Sequence, residues 1–321
     1  MEEVERARER LENIRSVKPI LNGLRTISLG AWQAALKRRG SVQSYAEQLK
    51  AMLPAVIAHL PDEDGVLDRF RKRFSRPRRF WDRREEDEEQ KARPAHSEVL
   101  VVGSERGLCG RFNVAVADKL DHHLRQSLED TDQVSLRVLG SRAGRVLRRR
   151  GYEPTSAGTL AVTTLPPLSL AFDLSGEWLS SYERHALDTV IIVFNDYRGT
   201  GNYEPTVTQL VPPRFNVDDV HSAARPSGSA STSWPPPILD TDPKSLYATI
   251  IKQWTAVKLY SILLDSSAAE HSTRFQLMES ATQNADQLVE DLTLVIQTAR
   301  RQAITQEMAE LAAGAGLLRK E

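Results

Sequence analysis

The stretch "RFQLMESATQNADQLVEDLTLVIQTARRQA", residues 274–303, decides the fold of this chain. Its small and apolar side chains recur at alternating steps of three and four residues, in a pattern that begins upstream at Leu264. The stripe is apolar except at His271 and Thr282 and comprises Leu264, Ala268, His271, Phe275, Met278, Thr282, Ala285, Val289, Leu292, Ile296, Ala299 and Ala303. A mean spacing of about 3.5 residues is typical of the seam of a left-handed coiled coil. The stripe therefore predicts a long helix that packs along a partner helix.

The sequence also indicates where this helix begins and ends. Neither Gly nor Pro occurs from Lys244 to Ala313, and the preceding "DTDPK" supplies Asp242 as N-cap and Pro243 as first helical residue. A helix of that length would extend over about 105 Å. No compact domain of this size can bury such a helix along its whole length.

The N-terminal segment offers the partner helix. Its stripe comprises Val4, Ala7, Leu11, Ile14, Val17, Leu21, Leu24, Ser28, Ala31 and Ala35. Four residues weaken the segment as a free helix, namely Pro19, Gly23, Gly30 and Gly40. Pro19 predicts a kink near Lys18, because the residue before a proline is pushed out of helical geometry. Packing against the C-terminal helix must hold this segment.

Strand and helix patterns alternate in the middle of the chain. "EVLVVG" and "VSLRVLG" have the character of buried strands, and each leads into a helical pattern, "NVAVADKLDHHLRQSL" and "SRAGRVLRRRG". Further along, "ALDTVIIVFNDYR" ends another helix and carries another strand. Repeated strand and helix units of this kind indicate a largely parallel sheet covered by helices.

We therefore predict an α/β protein in which a long antiparallel coiled coil of the N- and C-terminal helices accompanies a central Rossmann-like α/β domain. The predicted parts are an N-terminal helix at 1–60, a charged insertion at 61–96, the α/β domain at 97–220, a Ser/Pro-rich linker at 221–243 and the C-terminal helix at 244–321.

A glycine-rich turn follows the first predicted strand. This turn, "GSERGLCGRFN" at 103–113, lacks the G-x-x-x-x-G-K-[ST] pattern of a P-loop, and neither it nor "GSRAG" at 140–144 fits G-x-G-x-x-G. We expect both turns to be structural, with Ser104 or Ser141 capping the helices. One alternative stays open, an α/β enzyme that binds a phosphorylated substrate at Gly103.

Composition narrows the functional classes. Lys and Arg number 43, as do Asp and Glu, so net charge gives no general attraction to nucleic acid or to an acidic membrane surface. The basic block at 69–84, with its interleaved aromatic residues, leaves a coiled-coil nucleic-acid-associated protein as a second alternative. An acidic run at 85–89 follows this block directly and argues against it.

No catalytic, cofactor or metal site is predicted. Cys109 is the only cysteine, so no intrachain disulfide can form, and we expect it to be a small buried residue in a turn. The seven histidines show no ligand spacing such as H-E-x-x-H. The N-terminus resembles no secretory signal, and no run of about 18 apolar residues occurs. We expect an intracellular protein that reaches a membrane only through its partners.

Two motifs carry a resemblance to a known family. "GSERGLCGRFN" is similar to the loop S-D-R-G-L-C-G-G-F-N of the gamma subunit of F-type ATP synthases, with Glu105 in place of Asp and Arg111 in place of Gly. The C-terminal signature of that family resembles residues 279–316, above all the tetrad Ile-Thr-Gln-Glu at 304–307. "IRSVK" at 14–18 and "VFNDYRGTGNYEPTVTQLVP" at 193–212 also match. The resemblance covers nearly the whole chain except residues 61–96.

The chain departs from the family pattern at several positions. Pro19, Gly23, Leu29 and Gly30 occupy a region in which the family usually has Asn-Thr and a Met-Lys-Met stretch, and Arg301 stands where the family commonly has Gln. The regulatory cysteine pair of the chloroplast type is absent. These departures indicate a divergent or paralogous member of bacterial type.

The resemblance implies a non-catalytic rotor shaft, present in one copy per complex, that couples ion flow through a membrane ring to ATP synthesis or hydrolysis. Its implied partners are the alpha and beta subunits, the epsilon subunit and the membrane c-ring, at the cytoplasmic face of a bacterial plasma membrane. The implied contacts to the alpha/beta ring are Arg15, Lys18, Arg300, Arg301, Gln302, Thr305, Gln306, Glu307, Met308 and Leu311. Those to the epsilon subunit and the ion ring lie in the loop after the last predicted strand, at Thr200, Gly201, Asn202, Tyr203 and Glu204.

Overall fold

The computed structural model describes residues 2–57, 59, 96–127, 133–160, 165–213 and 239–314. The elements are α1 (Glu2–Ile57), β1 (His96–Val102), α2 (Phe112–Ser127), β2 (Gln133–Leu139), α3 (Ser141–Arg149), β3 (Thr155–Ser156), α4 (Leu168–Glu183), β4 (Thr189–Gly199), β5 (Asn202–Val211) and α5 (Pro243–Gly314). They divide into two compact units, one of Met1–Leu29 with Arg274–Glu321 and one of Gly30–Thr273. Most of the predicted insertion and linker, residues 61–95 and 221–238, lies outside the described residues.

Helix α5 begins as the sequence predicted. The carboxylate of Asp242 accepts a hydrogen bond from the backbone N–H of Ser245 at 2.9 Å, and the Asp242 carbonyl accepts one from Leu246 at 3.0 Å. Asp242 is therefore the N-cap, and Pro243 is the first helical residue, where its missing N–H costs nothing. The helix continues to Gly314.

In the first unit, the opening of α1 packs antiparallel to the second half of α5. Ala7, Leu11 and Ser28 are buried on α1, as are Met278, Thr282 and Ala285 on α5. Burial of these small and apolar residues confirms the predicted coiled coil. Helix α1 is continuous through Pro19, and the kink near Lys18 stays a prediction.

One position of the predicted N-terminal stripe was wrong. Val17 is 47% exposed, and the seam passes instead from Ile14 through Lys18 to Leu21. A two-helix seam alternates steps of three and four residues, and the four-residue step after Ile14 ends at Lys18. The aliphatic stem of a lysine can lie on a seam while its ammonium reaches a carboxylate at the edge.

The second unit contains a five-stranded sheet in the order β3-β2-β1-β4-β5. Strand β1 pairs in parallel with both β2 and β4, as the alternating pattern predicted. Strand β2 also pairs in parallel with the two-residue strand β3, which was not predicted. Strand β5 is antiparallel to β4 and was not predicted, since residues 200–204 were expected in a loop after the last strand. The two strands form a hairpin in which Gly199 and Gly201 have positive φ, a conformation that glycine adopts readily.

Apolar side chains cover both faces of this sheet. Val99 and Val101 of β1 point to the face that α2 and α3 cover, where Leu120 and Leu147 are fully buried. Leu100 and Val102 point to the opposite face, among the large side chains of α4 and of α5 between Leu259 and Leu264. Sandwiching a mostly parallel sheet between helices in this way confirms the Rossmann-like α/β prediction.

Candidate partner-binding sites

The glycine-rich turns after β1 and β2 lie directly against each other. A Cβ added to Gly103 would lie 2.3 Å from the Cβ of Ala143, and one added to Gly140 would lie 2.6 Å from the carbonyl oxygen of Gly103. Gly140 also has a φ of +99°. Both glycines are therefore required for close backbone approach between the two turns. The structural interpretation of these turns has a steric basis.

The first turn also supplies the cap of α3. The backbone N–H of Ser141 donates to the carboxylate of Glu105 at 3.0 Å, and the Ser141 hydroxyl donates to the Glu105 carbonyl at 3.0 Å. The prediction that Ser104 or Ser141 caps the helices was therefore wrong. A helix N-terminus attracts anions, and here an anionic side chain of the neighbouring loop lies at the position where a phosphate would bind.

Ser104 instead holds the loop together from inside. Its backbone N–H donates to Asn113 Oδ1 at 2.9 Å, and its hydroxyl accepts a hydrogen bond from Asn113 Nδ2 at 2.8 Å. Cys109 is 2% exposed, and its Sγ lies 3.4 Å from the Ser104 hydroxyl. The predicted structural role of Cys109 is confirmed, since the side chain is enclosed within this loop.

The predicted contacts at the end of α5 all lie on the helix surface. Met308 is 66% exposed and Leu311 is 74% exposed. The set comprises Arg300, Arg301, Gln302, Thr305, Gln306, Glu307, Met308 and Leu311, and every member is exposed. Large apolar side chains that remain this exposed in a cluster are typical of contact surfaces for another chain.

Two polar members of this set form hydrogen bonds within the helix. The hydroxyl of Thr305 donates to the carbonyl of Arg301 at 2.9 Å, and Gln306 Nε2 donates to Glu310 Oε1 at 3.0 Å. Both are local interactions of an exposed helix, which leave further hydrogen-bonding capacity on these side chains. We call residues 300–311 the tip of α5.

The two N-terminal contacts differ from each other. Arg15 is exposed, whereas the ammonium of Lys18 forms an ion pair with Asp286 of α5. A second pair, which the sequence reasoning missed, joins Arg25 to Glu279 at 2.6 Å. Seven residues separate the two cations, and seven separate the two carboxylates, so both pairs have the same antiparallel register. The signal in the sequence was the seven-residue spacing of these charges, from Lys18 to Arg25 and from Glu279 to Asp286.

The predicted contacts to the epsilon subunit and the ion ring lie in the hairpin of β4 and β5. Thr200 and Gly201 form its tip, whereas Asn202, Tyr203 and Glu204 already belong to β5 and correct the prediction of a loop. The rings of Tyr203 and Phe112 pack edge to face with centroids 5.3 Å apart.

Two of these hairpin residues have partners within the chain. The carboxylate of Glu204 accepts a hydrogen bond from Arg198 at 2.9 Å. Burial raises the pKa of Tyr203, whose ring is half-buried. Thr200, Asn202 and Glu204 are exposed, whereas Gly201 and Tyr203 are only partly exposed.

The described residues contain no group of three or more His, Cys, Asp or Glu side chains placed to hold a metal ion. Within the same residues, no helix combines the length and the apolar character that crossing a membrane requires.

Comparison with known proteins relates nearly the whole chain to ATP synthase proteins. A family model described as ATP synthase matches residues 3–318. The ATP synthase gamma chains of Staphylococcus aureus strains JH9 and Newman are each 24% identical to this chain over 309 residues. The alignment covers 96% of this chain and 96% of each relative.

Solved structures share the fold. A chain of the Euglena gracilis mitochondrial ATP synthase, in an OSCP/F1/c-ring structure, aligns with a TM-score of 0.56 at 14% identity over 99% of this chain and 97% of its own. A chain from the central stalk and c-ring structure of the Tetrahymena thermophila mitochondrial ATP synthase gives a TM-score of 0.51 at 14% identity over 82% and 99%. Neither the phosphate-binding enzyme nor the nucleic-acid-associated protein is favoured beside these matches. Because the family model spans nearly every residue, this chain belongs to the ATP synthase family.

Proposed function

We infer that this chain is the gamma subunit, the central stalk, of a rotary ATP synthase. The observation that carries this function is the tip of α5, an exposed helix end with Met308 and Leu311 on its surface, in a chain that matches the family from residue 3 to 318. Such a helix suits insertion into a sleeve formed by other subunits. The chain is then a mechanical element, and catalysis takes place on the beta subunits.

The mechanism follows from asymmetry. A single coiled coil inside a ring of three alpha and three beta subunits presents a different face to each beta subunit. The rotor angle is therefore an effector that contacts each catalytic site differently, so the three sites differ in conformation and in nucleotide affinity. Rotation of the shaft moves those differences round the ring, driven by ion flow in synthesis and by ATP in hydrolysis.

We assign the two kinds of side chain at the tip to different tasks. Met308 and Leu311 would pack in the apolar collar of the ring. Arg300, Arg301 and Glu307 would pair with polar groups on beta-subunit loops, where partly desolvated charge pairs fix register. Arg15, Gln302, Thr305 and Gln306 would complete this polar surface. Lys18 would act within the shaft, since Asp286 already engages its ammonium.

The hairpin tip at Thr200 and Gly201 would contact the epsilon subunit and the c-ring. Glu204, bound by Arg198, would help to hold the shape of this hairpin. In this assignment one copy of the chain sits at the cytoplasmic face of a bacterial plasma membrane and reaches the membrane through its partners alone.

Reconstitution tests this function directly. The chain is co-expressed with the alpha and beta subunits of the same synthase, and the purified assembly is weighed by native mass spectrometry. We expect three alpha, three beta and one copy of this chain, with ATP hydrolysis that depends on its presence. Recovery of an alpha/beta assembly without this chain would overturn the assignment.

Variants at the tip of α5 distinguish a loss of assembly from a loss of folding stability. We expect Met308→Ser with Leu311→Ser to reduce the yield of the assembly without changing the unfolding of the isolated chain, because both side chains are already exposed. Leu168→Ser is the matched control, since Leu168 is 43% exposed on α4, outside the predicted contacts.

A further inference from the structure

One short segment of α1 is intrinsically weak. Pro19 has no N–H to donate to the carbonyl of Arg15, and a proline inside a helix also crowds that carbonyl. Gly23, four residues later, disfavours helix through its backbone freedom. Helix α1 nevertheless runs unbroken from Glu2 to Ile57. Other interactions must hold residues 19–23 in helical form.

Close packing does not explain why position 23 of α1 is a glycine. A Cβ added to Gly23 would meet no atom within 4 Å, so no close approach of another element requires glycine here. Alanine would fit and would favour the helix. The chain thus carries a helix-weakening residue at an open position.

Contacts between this segment and α5 are sparse. Pro19 and Gly23 are exposed, and Ile20 is 61% exposed. Leu21 is half-buried on the seam. A helix turn with so little buried apolar surface gains little stability from tertiary packing.

The two ion pairs lie on either side of this segment. Lys18 immediately precedes Pro19 and pairs with Asp286, while Arg25 follows Gly23 by two residues and pairs with Glu279. All four side chains are between 36% and 46% exposed. Salt therefore screens both pairs, and their hold on the segment depends on ionic strength.

We propose that residues 19–23 form a compliant segment of the shaft, and that Lys18 and Arg25 are positioning residues that clamp its two ends to α5. Compliance is a property of the chain itself. Its consequence, that the clamps keep the tip of α5 at a defined angle inside the ring, rests on the proposed function.

Hydrogen exchange on the full-length chain tests the compliance. We expect Gly23→Ala to slow amide exchange across residues 20–24 by about fivefold, the factor that corresponds to the helix-propensity difference between Gly and Ala. We expect Arg25→Ala to accelerate exchange there, and high salt to have the same effect on the unmodified chain. Identical exchange in all of these samples would overturn the proposal.

A charge swap distinguishes loss of the ion pair between Arg25 and Glu279 from general destabilisation of the fold. Arg25→Glu places two carboxylates together and should accelerate exchange, whereas Arg25→Glu combined with Glu279→Arg should restore it. Arg8→Ala is the matched control, because Arg8 pairs with Glu5 within α1 at 3.4 Å, with no pair to α5 among the described residues, and is 55% exposed. If the double variant does not restore protection from exchange, Arg25 does not clamp the segment to α5.

The assembled synthase tests the positioning role. We expect Arg25→Glu to lower the ratio of ATP synthesis to ATP hydrolysis, and the charge-swapped pair to return the ratio toward that of the Arg8→Ala control. An unchanged ratio in Arg25→Glu would overturn the positioning role. Failure of every variant and of the unmodified chain to assemble with alpha and beta subunits would instead overturn the proposed function and leave the exchange result standing.

Discussion

The carboxylate of Glu105 lies 3.0 Å from the backbone nitrogen of Ser141 and accepts its hydrogen bond. A side chain from the loop after β1 thereby completes the first turn of α3, which follows β2. In many α/β folds a bound phosphate lies at such a helix N-terminus. In this chain the negative charge at that position is the carboxylate of Glu105, which links the loop after β1 to the turn after β2.

Removing this cap should destabilise the chain. We expect Glu105→Ala to lower the free energy of unfolding by about 0.5–2 kcal/mol, since it leaves the N–H of Ser141 without its acceptor. Glu105→Gln keeps an acceptor oxygen and should lose less. Urea unfolding of the three proteins measures the difference, and equal stability of Glu105→Ala and the unmodified chain would contradict the capping role.

The close approach of the two glycine turns predicts a large steric effect. We expect Gly103→Ala to destabilise the chain by about 1–3 kcal/mol, because the new methyl group would overlap Ala143 and Asn113. Gly151→Ala is the matched control: Gly151 has a φ of +88° but nothing within 4 Å, so it should cost only about 1 kcal/mol of backbone strain. Thermal unfolding distinguishes the two, and a smaller loss for Gly103→Ala would argue against tight contact between the turns.

The buried amide of Asn113 predicts a hydrogen-bond penalty. We expect Asn113→Ala to cost about 1–3 kcal/mol, because the N–H of Ser104 would stay buried without a partner. Asn202→Ala serves as control, since Asn202 is exposed at the start of β5. Chemical denaturation compares the two variants, and an Asn113→Ala protein as stable as the control would show that water replaces the amide.

The ion pair between Asp265 of α5 and Arg39 of α1 predicts a pH dependence. Arg39 Nε lies 2.6 Å from the carboxylate, yet burial raises the pKa of Asp265 to about 6. Lys258 and Arg198 oppose this rise, while Asp196 adds to it. An unfolded aspartate has a pKa of about 3.9, so the folded chain binds more protons between about pH 4 and pH 6.

Stability should therefore fall as pH rises through that window, and the contribution of Asp265 should be fully present only below it. We expect Asp265→Asn to remove this part of the slope, so that the stability difference between variant and unmodified chain changes between pH 4 and pH 6 and is constant above. Denaturant unfolding at a series of pH values measures that difference. A difference that is independent of pH would contradict the raised pKa.

Much of the architecture could be predicted because its signals are local. The three-and-four spacing of small and apolar residues identified both coiled-coil helices, and Asp242 with Pro243 marked the start of α5. Continuous apolar runs identified β1, β2 and β4, because parallel strands that are buried on both faces have this character. Strand β5 was missed because half-buried polar residues such as Thr206 and Thr208 carry no such run.

The sequence by itself determined the helical period, the order of β1, β2, β4 and the helices, and the family resemblance, since each depends on residues close together in the chain. Tertiary structure alone decided that Lys18 rather than Val17 lies on the seam, that Glu105 caps α3, and that burial outweighs Arg39 at Asp265. These outcomes join residues that are 36 to 268 positions apart. Register and desolvation at such separations depend on how whole elements pack, which no local pattern specifies.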